Sequence, residues 1–134
     1  MIERDELINR LISDLKTLKL PVDEVYIDFR NYSKCFYGRY YPSEGKVVVY
    51  LYRDKRCSKF MEHTQLLETL IHEMVHHIQY SDPSFKRVKG VMHNTEFWRL
   101  YNHYMNRAED RLNIKFGEVR DTKHSEVSWW EING

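Results

Sequence analysis

Near the amino terminus, Leu7, Leu11, Leu15 and Leu18 recur every three or four positions, with Ile8 and Ile12 beside them. That spacing lines one face of a helix, so it predicts a packing helix over Glu3 to Leu18, closed by Pro21, which cannot continue it. The period then drops to two. Val25, Ile27 and Phe29 alternate with Tyr26, Asp28 and Arg30, the pattern of a strand with one apolar side. A second strand is expected over Cys35 to Tyr41 and a third over Lys46 to Tyr52, joined through the turn residues Pro42, Ser43, Glu44 and Gly45 as a hairpin. The helical period returns over Leu67 to Tyr80, where Leu67, Leu70, Ile71, Met74 and Ile78 form an apolar stripe. It recurs from His93 to about Arg111, with Phe97, Leu100, Tyr101, Tyr104 and Ala108 on one side and Asn94 or Thr95 available to cap the amino end. Val119, Val127, Trp129 and Trp130 in the last segment predict one or two further strands. The fold class expected is α+β: an amino-terminal helix, an antiparallel sheet of about three strands, two helices and carboxy-terminal strands.

A length of 134 residues suits a single domain, residues 1–134, with one sizeable core. The formal charge of +1 excludes nothing by itself, since local basic clusters occur on balanced chains. Two such clusters are present: Arg53, Lys55, Arg56 and Lys59 between the third strand and the helix over 67–80, and Lys86, Arg87 and Lys89 after it. The amino terminus lacks the apolar run of a secretory signal, and no stretch has the length of a membrane span, so the expectation is a cytoplasmic protein with no membrane partner. Cys35 and Cys57 are too few for a disulfide framework and too isolated for a zinc ribbon; they are expected to be reduced and packed.

The chemistry lies in the helix over 67–80, where His72, Glu73, Met74, Val75 and His76 spell H-E-x-x-H. Four positions on a helix turn the side chain by about 40°, so both histidines can meet one metal ion while the leucines pack on the other side. Glu73 falls beside the histidines, where its carboxylate can act on water at the metal without being a ligand. Catalytic zinc takes three protein ligands and leaves a fourth position open, so one more donor is required. The metzincin pattern would put glycine and histidine where Gln79 and Asp82 stand, and is excluded. A thermolysin-like site would draw a glutamate from the next helix, Glu96 or the more distant Glu109; a third route uses His93. His63 and His77 are read as surface or supporting residues. Tyr80, Tyr101, His103 and Tyr104 are the candidates for stabilising an oxyanion.

His72 to His76 followed by His93, Asn94, Thr95, Glu96, Phe97 and Trp98 resembles the SprT-like metallopeptidases, which include bacterial SprT and the eukaryotic Spartan proteases. Their pattern joins H-E-x-x-H to a downstream H-G-x-x-F. The likeness runs from about Cys35 to Tyr104, with a looser echo at His124 and Trp129-Trp130. It implies a small zincin-type, minigluzincin-like domain in which His72, His76 and His93 bind Zn2+ and Glu73 is the general base. Asn94 stands where the family prefers glycine, and asparagine tolerates a left-handed backbone better than most residues. Glu96 then becomes a supporting residue at the start of the helix.

The resemblance also implies a substrate class: proteins held on DNA or crosslinked to it, with DNA promoting cleavage. This chain lacks the cysteines of the zinc ribbon that relatives often carry. Arg53, Lys55, Arg56, Lys86, Arg87 and Lys89 could partly substitute in contact with single-stranded DNA, and Trp129 and Trp130, read first as core residues, could stack on unpaired bases. A peptide substrate could add as a strand beside the hairpin. Two other classes stand beside this reading: an intracellular zinc peptidase that cuts a regulatory protein independently of DNA, and a catalytically silent zinc-containing DNA-binding module. Glu73 separates them, because a structural site has no use for a carboxylate beside an open coordination position.

Overall fold

The structure, a computed structural model, describes residues 2–84 and 93–116. Helix α1 spans Arg4–Thr17 and buries Leu7, Leu11 and Leu15. Asp5 and Glu6 in its first turn and Lys16 in its last complement the helix dipole. It ends before Pro21 is reached. Lys19 takes φ +63°, while the Leu20 amide donates to the Leu15 carbonyl and the Lys19 amide to the Lys16 carbonyl. These are the two bonds of a Schellman closure, with Leu15 and Leu20 both in the core.

After a short 3-10 turn at Val22–Glu24 come strands β1 (Tyr26–Arg30), β2 (Gly38–Tyr41) and β3 (Lys46–Tyr50). The hairpin is present, with Tyr41 opposite Lys46, and Gly45 supplies its turn with φ +58°. The expected antiparallel sheet is corrected: the order is β1-β3-β2, and β1 runs parallel to β3, Tyr26 pairing with Lys46 and Arg30 with Tyr50. Alternation states which side of a strand is apolar, but neither its neighbour nor its direction. Here the most apolar strand, with Val47, Val48 and Val49 all buried, takes the centre, and β1 fills its remaining edge. Strand β2 is also shorter than the expected Cys35 to Tyr41. Cys35 is exposed and Cys57 half-buried, so the thiols are free as expected but Cys35 is not packed.

Helix α2 covers His63–Ser81 and α3 covers Thr95–Arg111. The face of α2 expected to coordinate is enclosed as well as the face expected to pack. Every residue from Leu66 to His77 is buried, because α2 meets the sheet, α1 and α3 together. Helix α3 presents Phe97, Tyr101, Met105 and Ala108 to this core, with Leu100 and Tyr104 half-buried beside them. Long-range polar bonds tie the layers. His63 Nε2 lies 2.7 Å from Asp14 Oδ2, joining α2 to α1, and Arg107 Nη1 donates to the Leu18 carbonyl at 2.8 Å. No helix among the described residues is long and apolar enough to cross a membrane. The expected carboxy-terminal strands, with Trp129 and Trp130, and the basic cluster of Lys86, Arg87 and Lys89 lie outside the described residues.

Candidate metal centre

His72 and His76 project from adjacent turns of α2, and His93 reaches them from just before α3. One nitrogen from each ring gathers so that all three lie within 4.8 Å of one another. His76 Nε2 and His93 Nε2 are 3.0 Å apart. Two imidazole nitrogens on one tetrahedral zinc would stand about 3.3 Å apart, which these separations bracket. His72 and His76 are buried and His93 half-buried. Burial pushes the His93 ring down from its ordinary 6.5 to about 4, so at neutral pH it keeps the lone pair a metal needs. Three imidazoles converging on one point can hold a metal ion.

The rings are held by aromatic packing. Phe97 sits 4.5 Å from the His76 ring, 4.7 Å from His93 and 5.0 Å from His72, centroid to centroid. Trp98 packs 5.3 Å from His93, and Tyr101 5.9 Å from His72. The Tyr101 hydroxyl donates to Glu68 Oε2 at 2.6 Å inside the core, which bolts α3 to α2 behind the histidines.

Glu73 is fully buried, and its Oε2 lies 3.9 Å from His72 Nε2. Strand β2 passes directly over it. A Cβ on Gly38 would meet Thr69 Cγ2 at 2.6 Å, the Val48 carbonyl at 2.7 Å and Glu73 Cγ at 3.6 Å, so only glycine allows the strand this close. One residue pair on, Tyr40 O–H meets His77 Nδ1 at 2.9 Å, and His77 Nε2 meets Glu24 Oε1 at 3.1 Å. His77 is therefore a buried clamp between β2, α2 and the turn before β1. Among the described residues β2 has β3 on one side and forms an edge of the sheet on the other.

The structure brings together His72, Glu73, His76 and His93, and leaves Glu96 and Glu109 out of the cluster. Asn94 is not left-handed, as its replacement of glycine suggested. It has φ −82° and ψ −177° and caps α3, its Oδ1 accepting from the Phe97 amide at 3.0 Å. The oxyanion candidates are dispersed: Tyr101 is bound to Glu68, His103 and Tyr104 lie against Arg107, and Tyr80 is exposed. Gly38, the bond of Gln79 to Asn94 and the linkage of Tyr40 to Glu24 through His77 were not singled out from sequence. Of these only Gly38 carried a signal, a glycine inside a strand pattern marking close backbone approach.

The basic connection of Arg53 to Lys59 stands at the amino end of α2, about 13 Å of helix axis before His72. Arg53 is paired with Glu62 at 3.1 Å, and Asp54 accepts from the Ser58 amide and hydroxyl, leaving Lys55 and Arg56 exposed at the bend.

Comparison with protein-family models, curated proteins and solved structures gives no match to this chain.

Proposed function

We propose that this protein is a zinc-dependent endopeptidase of the SprT-like kind. The observation that carries the reading is the meeting of His72, His76 and His93 within 4.8 Å, beside the buried carboxylate of Glu73. His72, His76 and His93 would hold the ion. Zinc bound there supplies Lewis acidity that lowers the pKa of water and polarises a peptide carbonyl. Glu73 takes up the proton released by the attacking water and delivers it to the departing amine. Burial keeps that carboxylate away from competing bulk water, and Gly38 brings the backbone of β2 over it.

The edge of β2 supports a substrate held as an added strand, bound through backbone groups and therefore read with little sequence preference. Such a site suits proteins whose selection depends on where they are held. That agrees with the proposed substrate class, proteins bound or crosslinked to DNA, for which Lys55 and Arg56 offer exposed cations. The test is cleavage of a DNA-binding protein by the zinc-loaded chain, with and without single-stranded DNA, using Glu73→Gln as control. Cleavage that needs both Glu73 and DNA is the expected result. Cleavage that needs Glu73 but ignores DNA keeps the peptidase and removes the DNA-linked substrate class. Zinc uptake without cleavage in either condition overturns the peptidase reading.

A further inference from the structure

The third ligand comes from a different part of the chain than the other two. His76 and His93 are 17 positions apart, and His93 precedes the first turn of α3, so its position depends on how the chain enters that helix. One atom joins both helices at this entry. Asn94 Oδ1 accepts from the Phe97 amide at 3.0 Å, which closes the helix cap, and from Gln79 Nε2 at 2.8 Å, which ties the same cap to α2. Gln79 stands three residues after His76, on the same side of α2 one turn on, and is 4% exposed. A carbonyl oxygen has two lone pairs, and this one gives each to a different helix. The Asn94 carbonyl at 3.2 Å from the Trp98 amide adds the first bond of α3, and Trp98 in turn packs on the His93 ring.

We propose that Gln79 is a positioning residue for the metal centre: by holding the Asn94 cap it sets the distance at which His93 meets His76. The proposal rests on the reading of the three histidines as ligands. It gives Asn94 a purpose that a glycine could not serve, since glycine has no side-chain acceptor to share between the two helices. Gln79 and Asn94 work as one unit, and loss of the donor from one or of the acceptor's reach from the other breaks it. Gln79→Met keeps the length of the side chain and removes the donor. Asn94→Ser keeps a cap for the Phe97 amide but is too short to reach Gln79. Asn94→Asp retains an acceptor for both donors.

The test is metal binding by the full chain, stripped of metal and titrated with Co2+, with the visible absorption reporting ligand geometry, and with zinc affinity measured against a chromophoric chelator. Gln79→Met and Asn94→Ser are expected to bind zinc about 10- to 100-fold more weakly, the scale on which outer residues affect metal sites, with an altered Co2+ spectrum. Asn94→Asp is expected to retain the parent's affinity and spectrum. A purely structural role would lower the melting temperature of the metal-free variants and leave affinity and spectrum alone; that result overturns the proposal. Should Gln79→Met not fold, the contrast of Asn94→Ser with Asn94→Asp decides the matter by the same readout. If the parent chain takes up neither ion, the reading of the histidines falls, and this proposal with it.

Discussion

His76 Nε2 and His93 Nε2 face each other at 3.0 Å. Two lone pairs pointed at one another at that distance repel, so the pair needs a proton or a cation between them. With His72 closing the third side, a metal ion satisfies all three rings at once. His93→Ala is therefore expected to weaken zinc binding by more than about 100-fold, beyond what loss of an outer residue does. Glu96→Ala is expected to leave it intact. Equilibrium dialysis with metal analysis distinguishes them, and the reverse outcome would move the third ligand to Glu96.

The half-buried ring of His93 also predicts the response to acid. Its pKa is about 4 in the fold against 6.5 when exposed. Between these values the unfolded chain binds more protons than the folded one, so stability is complete above pH 6.5 and is lost as pH falls towards 4. With allowance for the exposed part of the ring, the metal-free protein should be weaker at pH 5 than at pH 7 by roughly 1–2 kcal/mol. Urea midpoints across that range check this, with His93→Gln flattening the difference. A midpoint unchanged from pH 7 to pH 5 in the parent would contradict it.

Gly38→Ala should damage the protein in two ways. The added methyl lands 2.6 Å from Thr69 Cγ2 and 2.7 Å from the Val48 carbonyl, and the second of these is backbone that cannot turn aside. Overpacking of this kind costs about 1–3 kcal/mol. Relief requires β2 to move off α2, which also withdraws it from Glu73. Peptidase activity is expected to fall even at temperatures where circular dichroism shows a folded variant, while zinc affinity changes little.

Lys19→Gly should stabilise the protein. Lys19 closes α1 with φ +63°, a conformation that burdens a residue with a Cβ and suits glycine. A gain of about 0.5–1 kcal/mol is expected, read as a rise in the urea midpoint with an unchanged slope. No gain would mean that the Lys19 side chain contributes a compensating contact.

The pattern of apolar positions made α1, α2 and α3 legible within a few residues, because burial of a helical face imposes its period on the residues themselves. Leu7, Leu11 and Leu15 are in the core as spaced, and so are Phe97, Tyr101 and Ala108. The candidate site was legible for a related reason. His72, Glu73 and His76 lie within one turn and a half of helix, so local geometry alone brings them together.

Other features depended on parts of the chain far apart in sequence. Period-two alternation assigned an apolar side to β1 but could not reveal that it runs parallel to β3, since either direction presents the same side chains to the core. Likewise, the helical stripe on α2 did not foretell that its histidine-bearing side would also be enclosed, which follows from α3 and β2 closing over it. By itself the sequence picked out the residues proposed to carry the chemistry, because a metal ligand must be histidine or a similar donor wherever the fold puts it. Only the tertiary structure decided that His93 meets His76, that Gly38 lets β2 lie over Glu73, and that Asn94 caps α3 while accepting from Gln79. Each of those contacts joins residues separated along the chain, and packing, not local propensity, sets their distances.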